Sequence, residues 1–123
     1  MQTEQFNKII KQRLEKVQAT LIAKADEYAR GDRLSNFKKI AHLNSCTPEK
    51  SLMLLVSKHI VALSDFINDI DAGTIQSTDR WDEKIGDIIA YMVLLDALVM
   101  ERPKILGTTE VGRTITQAGG KRT

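Results

Sequence analysis

The sequence predicts an all-α protein: an antiparallel helical bundle of three long helices and one short one, with a C-terminal extended tail. Three observations carry this expectation. Apolar residues recur at steps of three and four over long segments, brief connections with helix caps and stops separate those segments, and no Gly-rich strand-turn-helix fingerprint, P-loop or nucleophile elbow occurs. The 123 residues, 42% hydrophobic and 28% charged, suit one compact domain that buries roughly two-thirds of its unfolded surface without staples. A single cysteine, Cys46, and two histidines exclude a disulfide scaffold and a zinc finger and fit a reducing compartment.

Helix one is expected from about Thr3 to Arg30, because Phe6, Ile10, Leu14, Val17, Leu21, Ala25 and Tyr28 fall on one stripe, and Gly31 supplies the stop. Asp32 or Ser35 can cap a short second helix, Leu34 to Leu43, which ends at Asn44-Ser45-Cys46. Thr47-Pro48-Glu49 is a strong start signal for helix three, which is expected to run to about Ile70 and close at Ala72-Gly73. Asp79 or Thr78 caps helix four, which Pro103 stops. Its stretch from Ile88 to Leu95 is apolar all round, so the helix is either central or covered by another subunit, and a homo-oligomer is the expectation. Residues 1 to 103 make the helical domain. Lys104 to Thr123 is a basic Gly/Thr-rich tail or arm, with a short alternation at Val111 and Ile115. No signal peptide opens the chain, and Ile88 to Met100 is shorter than the ~20 residues a bilayer requires, so a cytoplasmic protein with no membrane partner is expected.

The net charge of +2 is unevenly distributed. Residues 1 to 50 carry ten basic and six acidic side chains, residues 51 to 101 three and nine, and residues 102 to 123 five and one. The acidic middle would be repelled by phosphate backbones, which argues against nucleic acid. If helices three and four form an antiparallel hairpin, residues whose numbers sum to roughly 150 lie level. Asp65 and Asp69 then come abreast of Glu83 and Asp87. Four carboxylates in one place would suit Mg²⁺ or Mn²⁺. The other reading has some of them facing solvent and Glu83 favouring the positive end of the helix-four dipole.

Lys24, Glu27 and Tyr28 lie on the last turns of helix one beside Arg33 and Asn36. That group can stack on a base and grip its phosphate, or form a solvated helix end. Lys58 and His59 stand midway along helix three, with His59 abreast of Tyr91, as a core histidine bonded to the tyrosine hydroxyl or as a ligand-binding or proton-transfer group. Gly86 breaks helix propensity within helix four, where close approach of another backbone or a ligand is the expected reason. Trp81 is expected to pack at the bundle end.

Lys24-Ala25-Asp26-Glu27-Tyr28 with Asn36-Phe37, then Lys58-His59, then the run from Glu83 to Tyr91 with its Glu-x-x-Gly-Asp start, resemble small all-helical proteins of tailed bacteriophages and prophages. The likeness is to the nucleotide-modification-associated helical domain and, more distantly, to the MazG-like all-α nucleoside triphosphate pyrophosphatases. It covers about residues 20 to 101. The resemblance implies a nucleotide or nucleotide-derived ligand, a host-cell cytoplasmic location, and metal-binding acids at Asp65, Asp69, Glu83 and Asp87. Three functions follow as expectations: a nucleotide binder that sequesters a host signalling nucleotide, a Mg²⁺-dependent pyrophosphatase, or a structural and protein-interaction bundle.

Overall fold

Four helices form the structure, a computed structural model that describes the backbone of residues 1–28 and 31–103 and the side chains of 1–24 and 31–103. They are α1 (Thr3–Tyr28), α2 (Ser35–Leu43), α3 (Pro48–Asp71) and α4 (Thr78–Glu101), and no strand occurs among the described residues. The described residues therefore form an all-helical fold, as the apolar periodicity requires. The tail from 104 to 123, with the alternation at Val111 and Ile115, lies outside the described residues.

The local signals work largely where expected. Gly31 and Gly73 adopt left-handed φ values of 96° and 92°, which a side chain would strain. Thr47 caps α3 by accepting a hydrogen bond from the Lys50 backbone N–H at 3.1 Å, with Pro48 in the first turn. Two caps differ from expectation. Ser77, not Thr78 or Asp79, caps α4, because its extended backbone aims the hydroxyl at the Arg80 N–H. At α2 the N-cap position is Leu34, which offers no side-chain cap. Asp32 instead closes the turn before it, accepting from the Leu34 N–H at 2.9 Å and from Lys38 Nζ at 2.7 Å. The Lys38 bond and then the Leu34 N–H hold the Asp32 carboxyl below its ordinary range.

Helices α3 and α4 run antiparallel. At one end Glu49 accepts both Nε and Nη2 of Arg102 at 2.7 Å. At the other, Phe66 and Trp81 meet edge to face with centroids 5.3 Å apart, and the Arg80 guanidinium lies 5.0 Å from the Phe66 ring. His59 and Tyr91 come level between them, so the hairpin register follows the expectation. Helix α2 packs on α3, and Leu34 and Phe37 join Leu52 and Leu98 in the core. Leu52 and Val56 are fully buried, each contributing ~2 kcal/mol of apolar transfer.

Helix α4 lies between α3 and α1, which answers for much of its all-round apolar character; Met92 and Val93 remain exposed. Helix α1 runs in the same direction as α4. Its Arg13 donates to the Asp82 backbone carbonyl at 3.1 Å and to Asp82 Oδ1, Lys16 donates to Oδ2 at 3.0 Å, and further along Leu21 shares a cleft with Leu94. The group that approaches Gly86 is this Arg13 guanidinium, which would stand 3.0 Å from an added Cβ. The expected close neighbour is thus a flexible side chain rather than a backbone or a ligand.

Of the α1 stripe, Val17 is buried, whereas Phe6, Ile10 and Leu14 are exposed. Thr3 precedes the Arg13 contact by ten residues, but α4 begins only four residues before Asp82. The first turns of α1 therefore overhang the end of α4 by about 9 Å at 1.5 Å per residue. Ala25 and Tyr28 of the stripe have side chains outside the described residues. Among the described residues one helix, α3, is long and apolar enough to cross a membrane by length and composition.

Two outcomes follow. Asp82 is held below its ordinary carboxylate range by hydrogen bonding to Lys16 and by the charge of Arg13. A depressed folded pKa contributes stability that is present above the unfolded value and lost as pH falls through the folded one. Replacing Asp82 by Asn should lower stability at pH 7 by ~0.5–1 kcal/mol and leave little difference between the two proteins near pH 2, as read by urea denaturation across pH. Gly86→Ala should raise the melting temperature, because a helix-propensity gain of about 1 kcal/mol outweighs a small shift of the Arg13 side-chain end.

Candidate functional site

The register of the α3–α4 hairpin carries His59, Asp87 and Tyr91 to one wall of a cleft of about 390 Å³, and the end of α1 with the start of α2 brings Lys24, Arg33 and Asn36 to the opposite wall. Phe37, Leu55, Ala90 and Leu94 line its apolar part. The volume falls within the ~300–1,000 Å³ of small-molecule sites, and few polar groups over an apolar floor is their usual composition. Six of the residues singled out from sequence thus meet in one place.

The aromatic wall is ordered by mutual packing. Tyr91 meets Phe37 edge to face with centroids 6.5 Å apart, and His59 at 5.5 Å with planes tilted by 40°. On the opposite wall Arg33 is anchored to α1, with Nη2 donating to the Leu21 carbonyl at 3.1 Å. The Asp32 turn places Arg33 there, and Lys38 ties that turn to α4 through Glu101. Two carboxylates raise the Lys38 ammonium above its ordinary range, with the Asp32 hydrogen bond the larger cause.

His59 is the anomaly. Its Nδ1 is buried and has no hydrogen-bond partner, and the nearest carboxylate oxygen, Asp87 Oδ2, is 3.7 Å away, beyond hydrogen-bond range. An orphaned buried polar atom costs roughly 1–3 kcal/mol. A donor or acceptor entering the cleft beside Asp87 would relieve that cost.

The four acids expected to hold a metal are not brought together. Asp65 precedes buried Phe66 by one residue and is turned outward to solvent, and Asp69 accepts from Gln76 Nε2 at 2.8 Å. Glu83 is exposed and shares a small hollow beside Arg13 and Lys16 with Asp87, and of the four only Asp87 also lines the cleft. Residues level along a hairpin still differ in the direction they face, which is why the set does not close. Among the described residues no three His, Cys, Asp or Glu side chains gather as a cation site, so this donor set does not fit Mg²⁺ or Mn²⁺.

Lys58 is exposed on α3 and does not line the cleft, and the side chains of Glu27 and Tyr28 lie outside the described residues. Sequence reasoning passed over Thr20 and Phe37 as site residues. Thr20 lies one helical turn before Lys24, and Phe37 follows Asn36, so the same periodicity that located their neighbours could have found both. No family model, no curated protein and no solved structure matches the chain.

The cost of the His59 orphan makes a measurable outcome. His59→Leu should raise the stability of the protein by about 1 kcal/mol in urea denaturation, because it removes a buried polar atom that has no partner.

Proposed function

We propose that the protein binds a nucleotide or nucleotide-derived small molecule in this cleft and holds it without hydrolysis. The observation that carries this reading is the meeting of two cations, Lys24 and Arg33, with a ring wall of Tyr91, Phe37 and His59 around one apolar space. Phosphate oxygens suit the guanidinium and ammonium, a planar base suits the ring wall, and Asn36, His59 and Asp87 offer hydrogen bonds to the polar edge of a base or a sugar. The resemblance to small phage helical proteins supports the same ligand class, and sequestration of a host signalling nucleotide is the role such binding would serve in a host-cell cytoplasm. The scatter of Asp65, Asp69 and Glu83 favours binding over metal-dependent pyrophosphate release.

Thermal shift and calorimetry with a panel of linear, cyclic and dinucleotide ligands test the reading. A ligand at one hundred times its Kd should stabilise the protein by ~2.7 kcal/mol. Arg33→Ala and Tyr91→Ala should each weaken that binding by at least about tenfold, or ~1.4 kcal/mol. No shift with any member of the panel overturns nucleotide binding, and release of pyrophosphate from a nucleoside triphosphate overturns binding without hydrolysis.

A further inference from the structure

Within the nucleotide reading just given, on which this inference rests, we propose that the base is guanine and that the Asp87 carboxylate selects it. Asp87 and Tyr91 stand one turn apart on α4 and both line the cleft, so a base packed on the Tyr91 ring turns an edge toward Asp87. Phe37 and His59 hold that ring in place by their own aromatic contacts. Lys24 and Arg33 lie on the opposite wall, where they suit the phosphates.

The neighbours that could satisfy the Asp87 carboxylate do not do so. Arg13 and Lys16 share the small hollow with it, but both donate to Asp82 instead. His59 Nδ1 stops 3.7 Å from Asp87 Oδ2. Among the described residues Asp87 accepts no hydrogen bond, and 33% of its side-chain surface is open. The cleft thus presents a carboxylate whose acceptors are left for something that enters.

The chemistry of a carboxylate narrows what that can be. An ionised carboxylate only accepts, and its two oxygens can take two parallel N–H donors at once. Beside an anionic ligand it is an unfavourable neighbour unless the ligand meets it with donors. Guanine does this twice, because N1–H and the 2-amino group lie side by side. Adenine and cytosine set one amino group beside a ring-nitrogen acceptor, and uracil sets one N–H between two carbonyls. Each of these would turn an acceptor toward the second carboxylate oxygen. The vicinal hydroxyls of a ribose are also paired donors, but Asp87 belongs to the ring wall, on which the base rather than the sugar packs. A site that bonds an N–H of its ligand discriminates strongly against analogues without it, whereas apolar contacts discriminate weakly. The choice of base therefore falls to Asp87 and not to Leu55 or Leu94, which accept any planar ring.

Calorimetric titration of the full chain with the 5′-mono-, 5′-tri- and 3′,5′-cyclic phosphates of guanosine, inosine, adenosine, cytidine and uridine is the test. The guanosine form should bind at least about tenfold more tightly than any other, including inosine, which differs only in lacking the 2-amino group. Its 2′-deoxy counterpart should bind within about threefold of it. Asp87→Asn replaces one acceptor by an amide donor, so it should weaken the guanosine form at least about tenfold. The same variant should bind the xanthosine form, whose 2-carbonyl stands beside N1–H, more tightly than the wild type does, a gain that an unfolded variant would not show. Equal binding of guanosine and inosine forms, or tightest binding of another base, overturns the proposal and leaves nucleotide binding standing. An Asp87→Asn protein that keeps the guanine preference, or gains nothing with xanthosine, does the same. Loss of affinity in the 2′-deoxy form with no ranking among the bases gives Asp87 to the ribose and overturns it as well. Absence of binding by every compound overturns the nucleotide reading and this inference with it.

Discussion

The antiparallel seam between α3 and α4 is the constraint from which the other positions follow. Fully buried Leu52 and Val56 fix the inward face of α3, Leu98 closes the seam from α4, and the Glu49–Arg102 and Phe66–Trp81 contacts hold its two ends. Helix α2 is docked by Leu34 and Phe37 on the core that this seam creates, and α1 reaches the molecule along α4 through Val17 and the Asp82 ion pairs. Most of the apolar transfer energy is gathered where α2, α3 and α4 meet. Helix α1 is held by a smaller buried surface and by partly exposed charges, which solvent screens.

That unequal distribution explains where the cleft lies. The space between the end of α1, the start of α2 and the hairpin is lined by side chains from four elements, and it is wide enough for a ligand because α1 is anchored on α4 rather than on α3. Lys24 and Arg33 come from α1 and the turn before α2, and the rings come from α2, α3 and α4. The Asp32 turn joins the two, since it fixes Arg33 beside Leu21 and is itself tied to α4 through Lys38 and Glu101. His59 keeps a buried nitrogen unsatisfied on the hairpin. A core selected for stability alone would place an apolar side chain there.

The exposed apolar surface is likewise a consequence of the topology. On α1 the stripe continues past the point where α4 begins, so Phe6 has no helix among the described residues opposite it. On α3 the inward face is satisfied by α2 and α4, and Met53, Leu54, Ile60, Val61 and Ile67 on the opposite face remain exposed.

Periodicity, caps and breaks were legible because they depend on neighbours within one or two helical turns. Thr47-Pro48-Glu49, Gly31, Gly73 and the apolar spacing of each helix act locally, so helix number, approximate bounds and all-helical class could be read without the fold. The hairpin register could be read as well, since a short connection leaves two long helices little choice of level. The direction each residue faces could not. Asp65 and Asp87 are level-matched carboxylates on paper, yet Asp65 turns outward and Asp87 turns into the cleft beside His59, because packing of the large side chains sets the rotation of each helix about its axis. By itself the sequence determined which segments are helical and how far along the hairpin each charged residue stands. Only the tertiary structure decided that Lys24, Arg33 and Asn36 face His59, Asp87 and Tyr91 across one space, because that depends on buried contacts between residues far apart in the chain.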